Sequence, residues 1–114
     1  MPSTTNYKKW EVILVPFPFT DLTTNKKRPA LIVSNNDYNK SENLVIALIT
    51  SNIRDSYEDY KIIKWSEAGF PKESVIKMKF ATVDKSIIVR KLGKLKKEDI
   101  DSFKIKLIAF FEKE

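Results

Sequence analysis

A proline at the start of an apolar run constrains this chain more than any other feature. In Lys27-Arg28-Pro29-Ala30-Leu31-Ile32, Pro29 lacks a backbone donor and disfavours helical backbone at Arg28. The segment therefore reads as the start of a strand, with Arg28 held extended at its mouth. Pro16 and Pro18 act on the preceding apolar run, Val12-Ile13-Leu14-Val15, by ending that strand or placing it at a sheet edge. A guanidinium fixed at a strand start is well suited to holding a phosphate.

The other apolar runs are equally short. Residues 10–17, 29–34, 44–49, 60–63, 74–78 and 87–90 read as strands. Asn35-Asn36-Asp37-Tyr38-Asn39 is turn chemistry, and Gly69-Phe70-Pro71 breaks the chain. Residues 20–27 are polar, with Leu22 as the one apolar anchor, and predict a mobile loop; residues 54–59 form a charged loop. From Glu98 the period changes. Ile100, Phe103, Leu107, Phe110 and Phe111 recur at helical spacing and predict a C-terminal helix with one face on the sheet. Its start lacks a good cap, since Lys96 and Lys97 stand where Ser or Asp would serve better. A chain of 114 residues has room for one core. The expected fold class is mainly β with a C-terminal helix. It is a single domain over 1–114, a small, strongly bent antiparallel barrel with a loose polar arm at 1–9 and the helix at 98–114.

The balance of 21 Lys and Arg against 15 Asp and Glu leaves a net charge of +6. It suits an anionic partner such as nucleic acid, and equally a basic protein with no such partner. The chain has no cysteine, which excludes disulfides and thiolate zinc sites and fits a reducing cytoplasm. It has no histidine, which excludes imidazole acid–base chemistry and most transition-metal sites. Any catalysis must use Arg, Lys, Thr, Ser, Tyr, Asp or Glu. No apolar run has the length of a membrane span, and the polar residues 1–9 carry no signal-peptide core.

Three polar groups sit at the ends of apolar runs: Arg28, Thr50-Ser51-Asn52, and Thr82-Val83-Asp84-Lys85. If the second and third strands form an antiparallel pair, Arg28 and Thr50 fall side by side. A guanidinium beside a hydroxyl can hold both non-bridging oxygens of one phosphate. The plainer readings are an edge charge for Arg28, a β-forming strand end for Thr50 and a turn aspartate for Asp84. Lys26 and Lys27 are a phosphate track or a solvated loop. Phe17, Phe19, Tyr38 and Trp65 are base-stacking or core aromatics; Phe17 reads as core, and Phe19 stays open.

Residues 14–22, 27–35, 47–51, 65–71, 82–86 and 90–95, in that order, resemble the MazF/PemK family of toxin–antitoxin toxins. The resemblance implies an SH3-like barrel, a homodimer and a cytoplasmic, metal-independent, cofactor-free endoribonuclease of single-stranded RNA. It implies attack by the RNA 2′-hydroxyl, leaving 2′,3′-cyclic phosphate and 5′-hydroxyl ends, and inhibition by an antitoxin protein with an acidic tail. The family's catalytic arginine matches Arg28 and its catalytic threonine matches Thr50. Phe19, Thr20, Lys26, Lys27, Ser51, Asn52, Lys77 and Lys79 are the accompanying candidates for RNA contact.

Three departures stand out. The family usually opens its first strand with Gly-Asp or Gly-Glu, where this chain has Trp10-Glu11. Many members carry a glutamate before the arginine, where this chain has Thr23-Thr24-Asn25. Some members use an acidic residue near the fifth strand, where this chain has Lys77-Met78-Lys79. Glu11, Asp21, Asp84 and a loop lysine are therefore all candidates for the general base. The competing reading is a non-catalytic binder on the same barrel, either a gyrase-poison relative or an RNA- or antitoxin-binding member. The gyrase branch lacks the Arg/Thr pair and uses a C-terminal Trp, whereas this chain ends Phe110-Phe111-Glu112-Lys113-Glu114.

Overall fold

The computed structural model describes residues 6–16, 26–52 and 59–113. Six strands are followed by one helix: β1 (Glu11–Pro16), β2 (Lys27–Ile32), β3 (Asn43–Thr50), β4 (Tyr60–Lys61), β5 (Val75–Asp84), β6 (Arg90–Lys94) and α1 (Lys97–Glu112). The strands form one antiparallel sheet in the order β4-β5-β3-β2-β1-β6, curled into a half-barrel.

Both faces of the central strands are buried, which explains their almost wholly apolar composition. Val12, Leu31, Ala47, Ile49 and Ile76 face α1 and pack with its Phe103. Ile13, Val15, Ala30, Ile32, Leu44, Ile46 and Val83 face the other way into a second cluster. Tyr7, Ile87 and Ile88 cover part of this opposite face. The expected loose arm is therefore anchored at Tyr7, whose ring centre lies 5.5 Å from Lys91 Nζ.

Three expectations change in detail. β5 does not stop at residue 78 but runs to Asp84, because it pairs along nearly the whole of β3. Residues 85–87 form a 3₁₀ turn, and the sixth strand starts at Arg90 rather than Ile87. The apolar run Ile87-Ile88 is core cover instead of strand. α1 buries Phe103, but its last turn is open: Phe110 and Phe111 are 43% and 67% exposed and stack on Phe80. The sheet is also pinned where the turn after β4 crosses β6. A side chain at Gly93 would stand 2.0 Å from the Ala68 carbonyl oxygen, so only glycine fits there.

The helix start is fastened by Asp99, which is fully buried. Its Oδ1 accepts the Tyr60 hydroxyl at 2.6 Å and the Ile63 N–H at 2.9 Å, and its Oδ2 accepts the Lys64 N–H at 2.8 Å. The carboxylate also meets the positive end of the helix, where Lys96 supplies no side-chain cap. Burial, then the bond to Asp99, push the Tyr60 hydroxyl up to about 12. Asp99→Ala should cost about 3 kcal/mol in urea unfolding, since it strands the buried Tyr60 hydroxyl and two part-buried backbone donors. The Tyr60 pKa is raised on folding, so its contribution is fully present below pH 10 and is lost as pH rises through about 12. Melting temperatures from pH 9 to 12 should fall more steeply for the wild type than for Tyr60→Phe.

Candidate nucleic-acid interface

The ladder between β2 and β3 pairs Ala30 with Leu48, Leu31 with Ala47 and Ile32 with Ile46. Extending that register by two residues sets Arg28 against Thr50, the arrangement expected for one hairpin-like pair. Both side chains have the parity of Ala30, Ile32, Leu44 and Ile46, so both point away from α1. Both are half-buried, and the Arg28 Nε is shielded from solvent. Val15 lies opposite Arg28 on β1 and Val75 opposite Thr50 on β5, so apolar side chains flank the pair.

A bulge adds charge to this end of the face. Ala47 pairs with Phe80 and Ile49 with Ile76, so residues 77–79 of β5 together oppose Leu48. Met78 and Phe80 pack toward the helix side. Lys77 and Lys79 therefore turn toward the face of Arg28 and Thr50. On β4, Tyr60 and Ile62 face the helix side, which turns Asp59 and Lys61 to the same charged face. Sequence reasoning missed Asp59 and Lys61. The alternation of Tyr60 and Ile62 was the signal that could have found them.

Thr50 Oγ1 accepts the backbone N–H of Asn52 at 3.0 Å. That bond uses one lone pair and leaves the hydroxyl proton available for donation. Ser51 and Asn52 follow directly and are exposed. Lys26 and Lys27 are exposed at the start of β2, with Lys27 opposite Pro16. Eight of the sequence-derived residues, Arg28, Thr50, Lys26, Lys27, Ser51, Asn52, Lys77 and Lys79, thus belong to one end of the sheet.

Two candidate bases belong to the other end. Val12 pairs with Leu31, so Glu11 falls beside Ile32, four residues along β2 from Arg28. Its carboxylate accepts the Lys8 N–H at 2.6 Å and pairs with Lys91 Nζ at 3.2 Å. Asp84 stands opposite Asn43, seven residues and about 23 Å along β3 from Thr50. Asp84 accepts the Ser86 N–H at 2.8 Å, and this bond holds its carboxyl below the usual range. It is a capping aspartate. Phe19, Thr20 and Asp21 lie outside the described residues. Among the described residues no group of His, Cys, Asp and Glu is placed to hold a metal ion, and no helix is long and apolar enough to cross a membrane.

A sequence model of PemK-like, MazF-like toxins of type II toxin–antitoxin systems matches residues 8–111. The chain belongs to the PemK/MazF toxin family. Solved structures share the fold at low identity. A mycobacterial endoribonuclease in complex with its cognate antitoxin is 20% identical, covering 90% of this chain and 92% of that one, with a TM-score of 0.73. The Mycobacterium tuberculosis toxin MazF-mt6 is 18% identical, covering 88% and 95%, at 0.70. A MazE–MazF structure from Deinococcus radiodurans is 15% identical, covering 96% and 98%, at 0.75. Compared with curated proteins, the sequence finds no match.

The departure at Trp10 has a physical reading. Its φ is 76°, a backbone region that glycine adopts without strain. Trp10 is held there by hydrogen bonds from its N–H to the Ile32 carbonyl at 2.8 Å and from the Leu95 N–H to its own carbonyl at 2.9 Å. Its ring meets Phe103 edge-on at 6.1 Å. Burial of an indole on the core thus offsets the strain that glycine would avoid.

The Thr50–Asn52 bond is open to measurement. Thr50→Val should speed exchange of the Asn52 amide about fivefold, the loss of a bond near 1 kcal/mol, whereas Thr50→Ser should preserve its protection.

Proposed function

We propose that this protein is an endoribonuclease that cleaves single-stranded RNA without a metal ion, with Arg28 and Thr50 holding the scissile phosphate. The observation that carries the reading is the β2–β3 register, which aligns the two side chains on one face at one end of the sheet. Family membership and the endoribonuclease names of the neighbours agree with it.

In this scheme the RNA 2′-oxygen attacks the adjacent phosphorus and the bond from phosphorus to the 5′-oxygen breaks. The 2′-hydroxyl loses a proton and the departing 5′-oxygen gains one, leaving a 2′,3′-cyclic phosphate and a 5′-hydroxyl. Negative charge grows on the non-bridging oxygens in the transition state. Arg28 is permanently charged and donates to them without taking a proton. The Thr50 hydroxyl, already accepting from Asn52, directs its own proton outward as a second donor. This scheme assigns the proton acceptor to neither Glu11 nor Asp84, since each is held by local hydrogen bonds toward the other end of the sheet.

The same reading includes a homodimer and an antitoxin partner. The open end of α1, with Ile108, Phe110 and Phe111, offers apolar surface of the kind subunits bury. An acidic antitoxin segment would compete with RNA for the Arg28 face, as both ligands are anionic.

Purified protein in EDTA should cleave single-stranded RNA and leave cyclic phosphate ends. Arg28→Ala and Thr50→Val should each lower kcat by about 10²–10³. Absence of cleavage by the wild type would contradict the activity, and equal cleavage by Arg28→Ala would contradict the site.

A further inference from the structure

An acidic side chain stands among the cations of the Arg28–Thr50 face, and it is almost wholly buried. Asp59 Oδ2 lies 3.0 Å from Lys77 Nζ, with the two side chains 7% and 22% exposed. The Tyr60–Ile76 pair, moved one residue outward, sets Asp59 opposite Lys77 on adjoining strands. They are direct cross-strand neighbours, the arrangement in which opposite charges meet in a sheet. The pair lies at the bulge of β5, opposite Leu48 and beside the row of Thr50.

This geometry changes what Lys77 can offer. A free lysine surrenders roughly 2 kcal/mol of side-chain freedom when it is fixed on a ligand. Lys77 is already placed. Its ammonium has three donors, and the contact with Asp59 is an ion pair rather than a directed hydrogen bond, so the donors can turn to a ligand. A lysine held by a carboxylate can still contact phosphate, as the strand lysine of protein kinases does. Arg28 and Lys77 sit two strands and two residues apart, about 12 Å at the backbone, and Asp59 holds the Lys77 ammonium on the β4 side of β5, away from β2, so the two cations suit neighbouring phosphates rather than one.

We propose that Lys77 contacts a backbone phosphate neighbouring the one held by Arg28 and Thr50, and that Asp59 is the positioning residue that fixes its ammonium there. The proposal rests on the reading of this face as an RNA interface. It adds a second phosphate subsite and gives a role to a carboxylate that lies outside the Arg28–Thr50 pair. Lys77 and Asp59 take no part in the proton transfers. Their effect is therefore on binding, equal in ground and transition states.

The test uses a single-stranded RNA of the cleaved sequence with a 2′-deoxy sugar at the cleavage position, which binds without reacting. Dissociation constants are measured at several salt concentrations. Lys77→Ala should weaken binding about fivefold and make the slope of log affinity against log salt shallower by about 0.7, one single-strand phosphate. Lys77→Arg should keep the slope. Asp59→Asn should weaken binding roughly two- to threefold and add nothing in the Lys77→Ala background, because it acts only through that ammonium. With cleavable RNA, both variants should raise KM and leave kcat in place.

An unchanged slope for Lys77→Ala would overturn the subsite. Tighter binding by Asp59→Asn would overturn the positioning role, since the carboxylate would then be only a neutralising charge. Additive losses for the two variants would overturn it too, as they would show a purely structural effect. If the wild type fails to cleave in EDTA, the nuclease reading falls, while the same binding series on a mixed-sequence single strand with every sugar 2′-deoxy still decides the subsite.

Discussion

The β2–β3 ladder is the constraint on which the candidate site depends. Ala30 stands opposite Leu48, and both neighbouring pairs are buried. A slip of one residue would turn Ala30 and Ile32 toward α1 and Leu31 away from it, reversing both clusters at once. The hydrophobic core therefore fixes the register, and the register in turn sets Arg28 against Thr50. Two residues 22 positions apart in the chain are brought to the same end of one face, where the register continued beyond Ala30 and Leu48 sets them opposite, by apolar packing that neither takes part in.

The same ladder sorts charge from core. α1 covers one face of the sheet through Phe103, and its start is tied to the turn after β4 by Asp99. Tyr7, Ile87 and Ile88 cover part of the opposite face. The end of that face beyond Ala30 and Leu48 carries Arg28, Thr50, Lys77 and Lys79. Cations placed on strands are held more rigidly than cations on loops, which favours a defined path for a polyanion. The bulge opposite Leu48 gives β5 two lysines on this face across from one residue of β3.

Much of this was readable from the residues. Pro29 marks the start of β2, Thr50 closes an unbroken apolar run, and the change of period after Glu98 announces α1. What was not readable has physical reasons. The bulge in β5 leaves Lys77-Met78-Lys79 looking like ordinary alternation, because a two-residue shift preserves side-chain parity. β4 is two residues long, so Asp59 is signalled only by the faint alternation of Tyr60 and Ile62. Ile87-Ile88-Val89 has strand composition, yet the 3₁₀ turn capped by Asp84 delays β6 to Arg90. Asp84 shows the same limit from the other side. A carboxylate at a strand end is a fair candidate base until pairing with Asn43 places it far from Thr50.

The account's central claim is that Arg28 and Thr50 act together on one phosphate. A double-mutant cycle on kcat/KM with Arg28→Ala, Thr50→Val and the double variant tests that claim directly. Shared work on one group predicts strong non-additivity, with the double variant little worse than the poorer single variant. Losses that simply add would contradict the account, since they would mean that the two side chains act independently.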